Sequence, residues 1–486
     1  MRNEWNFAGC LVQRLGRNSS LIDAATGQVF HGENLADLIV GFAYGFLSMG
    51  LQPCDRVLIS CGVSPASTQA YLGAMYAGLV PVPVDERLLA SSGQKLFTKA
   101  RASAMWIANP DRCDWARENG IPVAGGSFDP YPAHSLPPAR CAEEDLAALM
   151  PTSGTTGPSC LVMVTHGNLR ANTEAIIRSQ SLGSDERAML IMPLSYCFSA
   201  SVMHTHLYQG GGVVFDSRFM FPDQVLRSMN TYRCTTFAGV PTVYNILLRR
   251  SNLRTIPLPG IRRFLQAGGA LAPQRILEMR EIVPAAEFFV MYGQTEATAR
   301  ISCLDPNRLS DKLGSVGLPL DNLEVRIVDG EGRELPQGQT GESQVRGPSV
   351  CSGYFDDPEA TARKFANGWL KTGDFACRDD EGYLWIKGRA DEFIKMRGVR
   401  VSFAEVETKV AATPGVNECA AVAVEHPEAG EALALFVVAA SGETGVVERI
   451  RHTFPPHWTC ASIKVVADLP KTANGKIART QLRTMM

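Results

Sequence analysis

From about Asp55 to Gly293 the chain alternates, without a break in the pattern, between short β-rich runs and helical periodicities. Val57-Leu58-Ile59-Ser60 precedes a helical pattern over 65–79, and 189–193 precedes 200–208. In the same way 235–240 is followed by 241–249, 262–266 by 273–282, and the series closes on a strand at 288–292. Strand and helix in steady succession predict parallel sheets covered by helices. Ligands of such sheets gather at the loops beyond the C-terminal ends of the strands. A chain of 486 residues is too long for one ordinary core, so two or more domains are expected, and 45% apolar residues suffice to fill them.

The pattern changes after residue 322. Between Leu323 and Lys387 short strands are separated by Asp329-Gly330 and Glu381-Gly382, which read as β-hairpin turns. Beyond Gly388 a polar stretch leads into mixed helix and strand, with a boundary near Arg389 to Glu392. The expected fold class is α/β. Residues 1–388 form a large N-terminal domain of helix-covered, mostly parallel sheets with a β subdomain at about 323–388, and residues 389–486 form a small α+β C-terminal domain.

Charge and composition narrow the function. Basic and acidic residues nearly cancel, 47 against 49, and no Lys/Arg run is long enough for a nucleic-acid footprint, so nucleic acid is not an expected partner. The N-terminal residues lack a basic flank followed by an apolar core, and no apolar stretch is long enough to span a bilayer, so a cytoplasmic location is the expectation. Thirteen cysteines without any C-x-x-C pair argue against a disulfide framework or a thiolate metal site.

The candidate chemistry sits at the loops. Thr152, Ser153, Gly154, Thr155, Thr156 and Gly157 form a hydroxyl-and-glycine loop followed by a polar helix start at Thr165-His166-Gly167-Asn168. Glycines admit close approach of backbone N–H groups to an anion, and the hydroxyls add donors without negative charge, which suits a nucleotide triphosphate. Taken alone, the loop reads equally well as a flexible linker. Two further segments, Gln266-Ala267-Gly268-Gly269-Ala270 and Tyr292-Gly293-Gln294-Thr295-Glu296, each follow an apolar strand and are placed to converge on the same ligand.

In order and spacing, these segments, with Lys371-Thr372-Gly373-Asp374, Gly388-Arg389-Ala390-Asp391, Ile394-Lys395, Gly398-Val399-Arg400 and Asn474-Gly475-Lys476, resemble the adenylate-forming superfamily of acyl-CoA synthetases, luciferases and adenylation domains. The resemblance covers nearly the whole chain from about Asp55. It implies that a carboxylate attacks the α-phosphorus of ATP to give an acyl-adenylate, and that a thiol then displaces AMP. By this resemblance Thr152 to Gly157 hold the β- and γ-phosphates, Thr295 donates to a phosphate, and Glu296 ligates Mg²⁺. Tyr292, flanked by Gly293 and Gln294, and the Gly268-Gly269-Ala270 turn sandwich adenine, while Asp374 accepts from the ribose hydroxyls with Arg389 nearby. Lys476 reaches the reacting carboxylate and α-phosphate, then leaves as a mobile C-terminal domain turns about Asp391 to present Gly398 and Arg400 to the thiol.

Where the family has a lysine in the phosphate loop this chain has Cys160, leaving two expectations: a working enzyme with weaker ATP binding, or a non-catalytic nucleotide binder. In the segment that carries an ammonium-binding Asp in amino-acid adenylation domains, Ser199 stands instead, which disfavours an α-amino acid. Tyr196 and Phe198 are expected to wall the acyl pocket, with Gly239, Gly268 and Gly293 leaving space beside them. His166, His204 and His206 are assigned no catalytic role. The resemblance therefore implies an ATP- and Mg²⁺-dependent ligase joining an apolar acyl or aryl acid to the thiol of coenzyme A. A phosphopantetheine on an acyl carrier protein is the alternative acceptor.

Overall fold

The computed structural model describes residues 5–109, 113–152, 160–389, 392–396, 399–426, 430–440, 443–455, 458–471 and 477–486. Its large domain is built on two parallel sheets. The first has nine strands, in the spatial order Leu318–Pro319, Ser302–Cys303, Glu287–Tyr292, Arg263–Gln266, Thr236–Gly239, Arg187–Leu190, Gly212–Phe215, Ser20–Asp23 and Val29–His31. The six strands from Glu287–Tyr292 to Ser20–Asp23 run parallel and the flanking ones antiparallel. The second sheet orders Val80–Asp85, Arg56–Cys61, Ala104–Ile107 and Val123–Gly125, all parallel.

These strands form where the sequence offers continuous apolar runs for burial on both faces. Val57, Leu58 and Ile59 are fully buried, as are Phe237 and Ala238. The helices between them start where their N-termini are pre-organised. Ser64 accepts from the Ser67 N–H ahead of Pro65, and Pro241 and Pro273 each open a helix. The helix His166–Gln180 carries a reciprocal cap, with Thr165 Oγ1 accepting from Asn168 N and Asn168 Oδ1 from Thr165 N, both at 3.1 Å.

An antiparallel sheet comprises Glu324–Val328, Gly341–Arg346, Trp369–Arg378, Phe365–Ala366 and Leu384–Arg389. Its turns are set by Asp329, whose carboxylate accepts from the Glu331 and Arg333 N–H groups, and by Asp379, which does the same for Glu381 and Tyr383. Together these parts make the large N-terminal domain of an α/β fold.

The small domain pairs Phe393–Met396 with Val399–Ser402 and packs the helix Phe403–Ala411 on a three-stranded sheet of Val416–His426, Gly430–Ala439 and Cys460–Val465. Arg479, at the start of the last helix, donates to Glu392, Glu407 and the Ala421 carbonyl. Polar contacts reach across to the large domain: Arg275 Nη2 donates to the Val416 carbonyl at 3.3 Å, and Arg250 approaches Asp468 at 4.0 Å.

Candidate active site

Gly239, Gln266 and Tyr292 end three neighbouring parallel strands, so the loops that follow leave the same sheet edge side by side. The Gln266 side chain donates to the Gly269 carbonyl at 2.8 Å and ties down the turn that begins at Gly268, whose φ of +85° lies in the region glycine adopts without strain. A Cβ at Gly268 would collide with the Tyr196 hydroxyl.

Beside this edge the antiparallel sheet brings in Asp374. Tyr292 donates its hydroxyl to Asp374 Oδ2 at 2.5 Å, joining segments 82 residues apart, and Arg389 Nη1 stands 3.7 Å from Asp374 Oδ1. The strand segment holding Asp374 is fixed by Thr372, whose hydroxyl donates to the Ser343 carbonyl and accepts from the Asp374 N–H. Gln294 Nε2 reaches the Thr372 carbonyl at 3.5 Å. Burial, reinforced by Asp374, holds the Tyr292 phenol protonated well above its ordinary range.

Thr295 and Glu296 lie in a short 3-10 turn just past the strand. The Thr295 hydroxyl contacts Cys197 Sγ at 3.4 Å, and the Glu296 carboxylate accepts from the Tyr354 hydroxyl at 2.7 Å, which leaves lone pairs for a cation. Among the described residues no group of three or more His, Cys, Asp or Glu side chains is arranged as a metal cage. One carboxylate beside hydroxyl-rich segments suits Mg²⁺ held largely through substrate phosphates.

Thr152 and Cys160 flank the hydroxyl-and-glycine segment: Thr152 N donates to the Cys160 carbonyl at 2.9 Å where Leu146–Pro151 pairs antiparallel with Leu161–Thr165. Ser153, Gly154, Thr155, Thr156 and Gly157 lie outside the described residues, as do Ala390, Asp391, Gly398 and Lys476. Arg400 lies in the Val399–Ser402 strand, paired with Lys395. Burial pushes the Cys160 thiol up, against a smaller opposing pull from Lys99.

The aromatic wall has a different packing from the sequence expectation. Tyr196 and Phe198 meet edge to face at 6.3 Å. Gly239, however, lies against Val243 and Tyr244 of the following helix, and Gly293 is crossed by the Ala299 carbonyl, so both glycines serve close packing where open space was expected. Ser199 is fully buried and donates to the Met192 carbonyl at 2.7 Å, a neutral group satisfied by backbone.

His166 accepts from the Phe7 N–H, while His204 and His206 are buried in the helix Cys197–Tyr208. Burial lowers their pKa values to about 4, about 3 and about 4, so all three are neutral.

Three residues of this region escaped the sequence reading. Tyr354 grips Glu296. Lys364 donates to the Thr372 carbonyl at 2.8 Å, its pKa lowered by burial despite the nearby Glu296 and Asp374 carboxylates. Arg300 is fully buried against Phe198, its guanidinium 5.3 Å from the ring centre. The one sequence signal for Lys364 was the Asp357-Pro358 helix start, where Asp357 accepts from the Ala360 N–H, but a seven-residue helix is too short to show periodicity.

A parallel sheet whose strand end carries Tyr292 and Glu296, met there by Asp374 and Arg389 of the antiparallel sheet, defines a nucleotide-handling α/β enzyme. The chain belongs to the AMP-binding enzyme family: the family model matches residues 19–355, and that of the AMP-binding enzyme C-terminal domain matches 405–476. It is similar to a feruloyl-CoA synthase of Amycolatopsis sp., with 32% identity over 92% of both chains. It is also similar to 4-coumarate–CoA ligase-like 4 of Oryza sativa subsp. japonica, with 32% identity over 95% of this chain and 89% of that one. The crystal structure of ATP-bound MatB from Rhodopseudomonas palustris superposes with a TM-score of 0.89 at 26% identity, covering 99% of each chain. The protein is an AMP-forming acid–thiol ligase. Among the described residues no helix is long and apolar enough to cross a membrane.

Proposed function

We propose that this chain activates an aryl or apolar acyl acid with ATP and passes the acyl group to coenzyme A. The observation that carries the reading is the Tyr292–Asp374 hydrogen bond, which sets an aromatic face and a ribose-type acceptor at one strand end. In the first half-reaction a carboxylate oxygen bonds to the α-phosphorus while the bond to the bridging oxygen breaks, and pyrophosphate leaves with the electron pair. In the second, a thiolate sulfur bonds to the acyl carbon and AMP departs. Mg²⁺ bound at Glu296 would neutralise phosphate charge. Tyr292 and the 268–270 turn hold the base, Asp374 and Arg389 position the ribose, and Thr295 and the loop from Thr152 to Gly157 bind phosphate oxygens. Tyr196 and Phe198 exclude water from the acyl side. Lys476 supplies the cation at the α-phosphate, residues 389–486 swing about Asp391, and the face with Gly398 and Arg400 then meets the thiol.

The names of the relatives support coenzyme A as acceptor, and comparing coenzyme A with a carrier-protein phosphopantetheine in a thioester assay separates the two thiols. Thirteen free cysteines agree with a cytoplasmic setting. The decisive test is Lys476→Ala. It should slow adenylate formation, read by pyrophosphate exchange, by a factor on the order of 10² to 10³, as for loss of one preorganised charge stabiliser. Thioester formation from preformed adenylate should be spared. Equal loss in both half-reactions would contradict the role.

A further inference from the structure

Arg300 is a buried cation with no counter-ion among the described residues. Its backbone is clamped by Asn172, which accepts from the Arg300 N–H at 3.3 Å and donates to its carbonyl at 2.9 Å, so the side chain is held toward Phe198 and Met291. Among the described residues no oxygen accepts from the guanidinium. The guanidinium abuts the thioether sulfur of Met291, and Gln180 Nε2 points at that same sulfur from 3.3 Å. The guanidinium and the Gln180 amide thus both face a sulfur that accepts only weakly. The nearest ionisable groups include the Tyr196 phenol and the Cys303 thiol, both held neutral by burial. A charge removed from water is ordinarily kept only where an opposite charge meets it, and no described residue supplies one here. Desolvation accordingly lowers the Arg300 pKa to about 10, still leaving it charged at neutral pH.

The cation lies against the wall formed by Tyr196 and Phe198, and Cys197 between them touches Thr295 of the nucleotide side. We propose that Arg300 is a specificity-determining residue that binds a second carboxylate at the far end of the acid substrate, so that the enzyme activates acids with an apolar or aryl body and a distal anionic group. A planar guanidinium presents a fork matched to a carboxylate, which would displace the Met291 sulfur and take donors from Arg300 and Gln180 together. The same positive charge also excludes an ammonium, in keeping with the neutral Ser199. This inference deepens the ligase reading and rests on it.

The test compares matched acids in the coenzyme A thioester assay: straight-chain diacids from succinate to suberate against the monoacids of the same length, and benzenedicarboxylates against benzoate. The wild type should favour the best diacid over its monoacid counterpart by a factor on the order of 10² or more in kcat/KM, because the monoacid leaves a buried charge unpaired. Arg300→Met should bring that ratio to about one, and Arg300→Lys should retain part of it. Should Arg300→Met fold poorly, the wild-type ratio and the Lys variant decide. A wild type that turns over monoacids at least as well as every diacid overturns the proposal while leaving the ligase standing. Absence of pyrophosphate exchange with every acid overturns the ligase reading, and this one with it.

Discussion

Each of the three buried histidines is a base kept from its proton. His204 lies between the rings of Phe7 and Tyr71, at 5.1 and 5.7 Å, and its Nε2 has no partner among the described residues, so a proton there would place an unsolvated charge in the core. The folded pKa of about 3 lies below the unfolded value of 6.5, so between these two values the unfolded chain binds the extra proton. Stability is therefore full above pH 6.5 and declines as pH falls toward the folded pKa, by up to about 1.4 kcal/mol per pH unit for this one group. Urea titrations from pH 7 to 5 should show a slope shallower by that amount in His204→Phe, and an unchanged slope would mean that His204 accepts its proton in the folded state. At this scale the sequence singles out Tyr292 and Asp374 because each sits inside a motif, and the structure brings the two into contact. Arg300 and Lys364 stayed hidden because a basic residue seen in isolation carries no record of whether it ends up buried or what faces it.

Among the elements, the last helix shows how a short segment is held. Arg479–Thr484 has six residues, too few to be stable alone, and depends on buried Leu482 and on Arg479, which links Glu392, Glu407 and the Ala421 carbonyl under the ring of Phe403. Arg479→Met should strand two carboxylates and cost roughly 3 kcal/mol. A lowered melting temperature of the small domain, with the large domain's transition unmoved, checks this. Element boundaries are legible where a proline opens a helix: the expected 241–249 and 273–282 helices appear as Pro241–Arg250 and Pro273–Ile282. The first 54 residues carry no strand–helix pattern of their own in the sequence. Ser20–Asp23 is four residues long and takes its parallel partner from Gly212–Phe215, a pairing that no local periodicity announces.

For the molecule as a whole, the link between domains governs the cycle. The described polar contacts across it are few and partly exposed, of a kind that contributes little each, which is compatible with the proposed swing. Asp391→Pro should fix φ at the proposed hinge and hold one orientation. Adenylation measured by pyrophosphate exchange should survive while thioester production falls, and unimpaired thioester production would place the pivot elsewhere. The two-domain plan was readable from the change in strand pattern after residue 322 and the polar stretch beyond Gly388. The path of the N-terminal segment into the main sheet was not.

That path has a consequence for biosynthesis. The Ser19 hydroxyl donates to the carbonyl of Gly210, 191 residues later, beside the strand that completes the pairing of Ser20–Asp23. At ordinary translation speeds the nascent chain waits about 10 to 40 s for that partner to leave the ribosome. During this interval the early strand pair exposes an apolar edge open to chaperones or to neighbouring chains on the same polysome.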